Sequence, residues 1–241
     1  MKLFFLQLVH HWKILLKDRA YVISFVVGLL VFFLGLSFVK AASAYKDSVI
    51  YEPVGDLLLN FLPTYNLEFL YSWGMYGIVL IIILYPFLFK QELAPFMFKT
   101  YGILLIVRSC FILLTDVGPP EGFYFDAGFG DNFIDEIMFR NDLFFSGHTS
   151  IPFLAFLLWK DTKFKWVMLF ASITMGLTVL LMHVHYSIDV FAAFFITHGI
   201  YSLSDKIFNG LNVRFATRIK LYGFKAVKNR LKNIYEKSKY T

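Results

Sequence analysis

Residues 142–149 read DLFFSGHT and residues 183–189 read HVHYSID. Each stretch sets ionisable side chains at the mouth of an apolar run. Such groups are costly to desolvate at the edge of a membrane span, so they mark functional sites by default. His148 and His185 stand 37 positions apart. That is one crossing, a tight turn and one crossing back, at about 20 residues per helical span. The spacing predicts that both histidines return to the same membrane face. His185 and Asp189 are four apart, one turn along a single helix face. A carboxylate so placed selects the tautomer of the imidazole and orients its ring.

Outward from these stretches the chain is apolar. It has 241 residues, 58% hydrophobic and 20% aromatic, with a mean hydropathy of +0.63. Such long apolar runs predict an all-α polytopic membrane protein rather than a soluble domain. Six transmembrane helices are expected, at 21–39, 70–89, 96–115, 143–159, 166–182 and 186–204, forming one catalytic membrane domain over 21–204. Residues 1–20 mix apolar and basic side chains and read as an interfacial helix. Ala42-Ser43-Ala44 resembles a signal-peptidase site, but the preceding run is too long for a signal core, so a retained helix is expected. Trp159 is expected at the membrane interface. His183 reads as an interface residue and His198 as a packing residue within the sixth span. Cys110 lies in an apolar run and has no partner cysteine in the chain.

Charge sets the orientation. Lys and Arg gather at the N-terminus, at Lys90, between Lys160 and Lys165, and in the tail. The loops 40–68 and 116–142 are acidic on balance. By the positive-inside tendency both termini are cytoplasmic and the two motif stretches face the periplasm or a lumen, in a plasma or inner membrane. The tail, 205–241, carries ten basic residues from Lys206 to Lys239 and one acid there, Glu236. Apolar residues recur between them at near-helical spacing, which reads as a cytoplasmic amphipathic helix on an anionic membrane surface rather than a nucleic-acid arm. Arg108, two turns before the end of the third span, either snorkels to the interface or aims its planar fork at a phosphate.

Two histidines and an aspartate suit haem or zinc in principle. Haem ligands usually sit within spans, whereas these sit at span mouths with an aspartate one turn away. The chemistry that needs no metal and no cofactor is phosphoryl transfer through a covalent intermediate. One imidazole attacks phosphorus and the other protonates the leaving alkoxide. Ser146-Gly147 opens the fourth helix, where backbone N–H groups hold phosphate oxygens.

The motifs also resemble a family. Ser146-Gly147-His148-Thr149 and His185-Tyr-Ser-Ile-Asp189 resemble the signatures of sphingomyelin synthases, a branch of the type 2 phosphatidic acid phosphatase superfamily. Asp142 matches the aspartate of that branch's first active-site signature. Arg108, Thr115 and the proline pair at 119–120 resemble its preceding motif. The resemblance implies His185 as nucleophile, Asp189 as its partner, His148 as acid then base, and Asp142 completing the polar site. It implies transfer of a phospho-headgroup from a glycerophospholipid to a ceramide hydroxyl, without metal, with diacylglycerol released. The broader superfamily carries an arginine six residues before the second histidine; here that position is Val179. A lipid phosphatase using water, and a non-catalytic membrane scaffold, are the other readings.

Overall fold

Helices should form wherever the apolar runs go, because a chain in lipid must satisfy its backbone internally. The computed structural model describes residues 2–123 and 143–238, and every regular element among them is helical. Helix α1 spans Lys2–Leu16. Asp18 then caps α2, Arg19–Asp47, accepting from the Ala20 N–H at 3.0 Å. Helix α3, Met75–Phe89, is preceded by one π turn, Leu70–Gly74. A 3₁₀ turn, Gln91–Leu93, leads into α4, Ala94–Leu114. Pro95 sits in the first turn of α4, where its missing N–H costs nothing. Helices α5, Gly147–Leu158, and α6, Lys165–Leu181, form a hairpin, and α7 runs over Ser187–Ser238.

Helix α4 is the axis of the bundle. Its most apolar window is 61% buried, against 22% for α2. The two helices pack backbone to backbone. A Cβ on Gly35 would lie 2.7 Å from the Gly102 carbonyl oxygen, and one on Gly102 would lie 2.6 Å from the Val31 backbone. Small residues permit that approach, as in membrane helix pairs generally. The far side of α2 exposes Ile23, Leu30 and Phe33, an apolar surface suited to lipid. Phe96, Leu104, Phe145, Leu154, Trp159 and Met168 fill the centre.

Among the described residues, four helical segments are long and apolar enough to cross a membrane: Arg19–Asp47, Leu70–Phe89, Gln91–Leu114 and Ser187–Phe208. Six were expected. Helix α5 has 12 residues and α6 has 17. The first spans about 18 Å, short of a hydrocarbon core about 30 Å thick. The apolar run at 143–159 is longer than its helix because 143–146 enters the helix in a non-helical conformation.

Other boundaries move for local reasons. Helix α2 continues eight residues past Val39. Alanines at 41, 42 and 44 favour helix, and the Lys46 ammonium donates to the Thr115 carbonyl at 2.8 Å while pairing with Asp116. Helix α7 passes unbroken through the expected boundary at 204. Beyond it, Phe215 is buried with Leu15 and Tyr21. Trp159 is buried rather than interfacial, its ring 4.2 Å from that of Tyr85. His198 is exposed on α7 rather than packed.

Candidate active site

The α5–α6 hairpin brings residue 147 and residue 187 to the same end of the bundle, because down and back return the chain to its starting level. A direct bond closes the gap: the Ser146 N–H donates to the Asp189 carbonyl at 3.2 Å. The two motif stretches are thus one structure.

At the start of α7, Asp189 is the third helical residue. Its Oδ2 accepts from the Tyr186 N–H at 2.9 Å, the reciprocal half of a capping box. The same oxygen lies 3.3 Å from His185 Nδ1. Both residues are buried, His185 at 3% and Asp189 at 2% exposure. A proton on Nδ1 therefore faces the carboxylate, and the lone pair falls on Nε2.

At the start of α5, Ser146 is the N-cap; its Oγ accepts from the Thr149 N–H at 3.4 Å and from the Thr149 hydroxyl at 3.2 Å. The amides of Gly147 and His148 lie in the first turn, where a helix offers no internal acceptor. Arg108 reaches this turn from α4. Its Nε donates to the Phe145 carbonyl at 2.8 Å. A Cβ on Gly147 would meet the guanidinium carbon at 3.2 Å, so glycine lets the cation lie against the helix end. Arg108 is only 7% exposed, so its guanidinium lies inside the bundle and does not snorkel.

His148 points into the same region. Gly147, the residue before it, backs onto Arg108, and Ser146 before that bonds the Asp189 carbonyl. One face of the imidazole stacks on Tyr71, with ring centres 4.0 Å apart. Its Nε2 is shielded from solvent and has no hydrogen-bond partner among the described residues. Asp142, expected to complete the site, lies outside the described residues.

His183 is not an interface residue. It is buried, with Nδ1 3.0 Å from the Glu121 carbonyl oxygen and Nε2 3.2 Å from that of Leu62. Its neighbour Tyr186 donates its hydroxyl to the Gly118 carbonyl at 2.8 Å and accepts from the Val54 N–H at 3.0 Å. These two side chains hold the loops 48–69 and 115–123 against the turn between α6 and α7. Tyr71, Tyr186 and Asp56, which bonds to the Ser187 N–H, escaped sequence reasoning. Each acts across more than fifty positions, and no periodicity announces such a contact. Val179 packs in an apolar cluster with Leu180 and Val190.

Such a geometry offers a nucleophilic nitrogen with an oriented ring, a second imidazole with a shielded nitrogen, and a cation beside open helix amides. All three suit a phosphate ester. No curated protein and no solved structure matches the chain. A family model described as PAP2 superfamily C-terminal matches residues 141–206, the segment that contains both motif stretches.

Proposed function

We propose that this chain is a lipid phosphotransferase of the PAP2 superfamily, in a branch resembling the sphingomyelin synthases. It moves a phospho-headgroup from a glycerophospholipid to the hydroxyl of ceramide or diacylglycerol. The observation that carries this reading is the meeting of the His185–Asp189 pair with the α5 N-terminus and Arg108.

The donor phosphate lies at the start of α5, with the Gly147 and His148 amides and the Arg108 guanidinium on its oxygens. Nε2 of His185 attacks phosphorus. The phosphorus–oxygen bond to diacylglycerol breaks as a phosphorus–nitrogen bond forms, and His148 gives its proton to the leaving alkoxide. Asp189 stabilises the imidazolium-like ring throughout. In the second half His148 removes the proton from the acceptor hydroxyl. That oxygen attacks phosphorus, the phosphorus–nitrogen bond breaks, and His185 is restored. The burial of His185, Asp189 and Arg108 favours a lipid acceptor over bulk water, since water exclusion protects a reactive intermediate from hydrolysis. Each proposed step uses only side chains and backbone amides of the chain, so activity should survive EDTA.

A test supplies purified protein in mixed micelles with phosphatidylcholine, phosphatidylethanolamine, phosphatidylglycerol, phosphatidylinositol or phosphatidic acid, and fluorescent ceramide or diacylglycerol. A new fluorescent phospholipid is expected and would name donor and acceptor. Free phosphate or free phospho-headgroup without that product would make water the acceptor and the protein a hydrolase. No turnover of any donor would favour a scaffold.

A further inference from the structure

The first turn of α7 carries the nucleophile's partner, and its amides need acceptors that the helix itself does not supply. Asp189 takes the Tyr186 N–H at 2.9 Å. The Ser187 N–H goes elsewhere, to Oδ2 of Asp56 at 2.6 Å, across 131 positions of sequence. Asp56 belongs to the loop between α2 and α3, outside the segment matched by the family model. Its other oxygen is also engaged: Oδ1 accepts from the Leu58 N–H at 2.9 Å and the Leu59 N–H at 3.2 Å. The carboxylate is therefore locked by its own loop before it reaches α7.

We propose that Asp56 is a positioning residue for the nucleophile, capping α7 from a distant loop and thereby fixing the Asp189–His185 geometry. The inference rests on the phosphotransfer reading above. A negative group at a helix N-terminus is favoured by the helix dipole as well as by the hydrogen bond. Partial burial opposes the charge on Asp56, but the Ser187, Leu59 and Leu58 donors outweigh it and hold the carboxyl below its ordinary value. The cap is thus ionised at neutral pH. Tyr186 pins the same loop a second time through the Val54 N–H.

The leverage is geometric. Asp189 Oδ2 serves both Tyr186 N–H and His185 Nδ1. If the Ser187 amide loses its acceptor, the first turn frays and that shared oxygen moves relative to the imidazole. Substrate phosphate is held at α5 and by Arg108, groups that Asp56 does not bond, so its binding should suffer less than the nucleophile's alignment. Loss of Asp56 should therefore lower kcat and leave KM nearly unchanged.

The experiment compares wild type, Asp56→Ala, Asp56→Asn and His185→Ala as full chains in detergent. It reads transfer kinetics, thermal midpoint, and deuterium uptake at 184–190. Asn has one acceptor oxygen where Asp56 uses both of its own, so Asp56→Asn should keep either the loop bonds or the Ser187 bond and fall between wild type and Asp56→Ala in kcat. Asp56→Ala should lose about 10- to 100-fold in kcat, as small misplacements of catalytic groups do, with faster deuterium uptake at 184–190 and unchanged KM. Unchanged kcat in a folded Asp56→Ala protein would overturn the proposal. So would a fall in kcat without faster deuterium uptake at 184–190, or one matched by rising KM and loss of the folded protein. Full activity of His185→Ala would instead sink the phosphotransfer reading, while deuterium uptake would still report whether Asp56 holds the helix.

Discussion

The middle and the start of α7 each meet a buried carboxylate, and they use it differently. At mid-helix Asp18, 4% exposed, takes Arg214 at 3.5 Å and also pairs with Arg218. Arginine is always charged, so this carboxylate always faces a cation. At the start Asp189, 2% exposed, faces a histidine, and a second histidine nearby keeps a shielded nitrogen without a partner among the described residues. One arrangement pairs a carboxylate with two fixed cations and holds helices together. In the other, under the proposed function, a reacting molecule completes the bonding. A buried ion pair by itself therefore says little about function; the distinction lies in the kind of partner it has and in the groups around it.

Breaking each contact should separate chemistry from stability. His185→Ala removes the attacking nitrogen and should lower transfer by about 10⁴-fold or more, the scale seen when a covalent catalyst loses its nucleophile, with little change in thermal midpoint. His148→Ala should cost roughly 10²- to 10⁴-fold, the range for a general acid. A donor with a good leaving group should recover much of its phosphoenzyme formation in a rapid-quench assay, because such a group leaves without a proton. At mid-helix, Asp18→Asn should leave kcat near wild type. It should lower the unfolding free energy by about 2 kcal/mol, between the values for surface and buried pairs because Arg214 is half exposed; denaturant melts read this directly.

The smallest effect concerns pH at the Asp56 cap. Its carboxyl is held below the ordinary 3.8. A group depressed in the folded state contributes stability that is present above its unfolded value and lost as pH falls through the folded one. Deuterium uptake at 184–190, corrected for the intrinsic pH dependence of exchange, should thus be flat from about pH 5 to 8 and rise only in stronger acid. Asp56→Asn should remove that acid-dependent rise.

The outline of the candidate site was legible in the sequence because two rules with fixed lengths govern it. A span and its return set the level of His148 and His185, and a helical turn sets Asp189 beside His185. Arg108 was legible only as a choice, since its direction depends on what packs around α4. The short α5 was hidden because residues 143–146 are as apolar as a span, yet they form the non-helical segment that Ser146 ties to Asp189. The continuity of α7 was hidden for the opposite reason: composition changes at 205, but a helix backbone is indifferent to polarity, and neither Gly210 nor Gly223 breaks it. The clasp made by Asp56, His183 and Tyr186 joins loops with no periodic pattern. Only the folded chain brings those partners together.

One measurement tests the central claim most directly. The purified protein is incubated with a donor phospholipid carrying labelled phosphorus, quenched, and digested. The account predicts an acid-labile, alkali-stable label on the peptide containing His185, discharged when acceptor lipid is added and absent from His185→Ala. Turnover with no such label, or an acid-labile label that persists on His185→Ala, would contradict it.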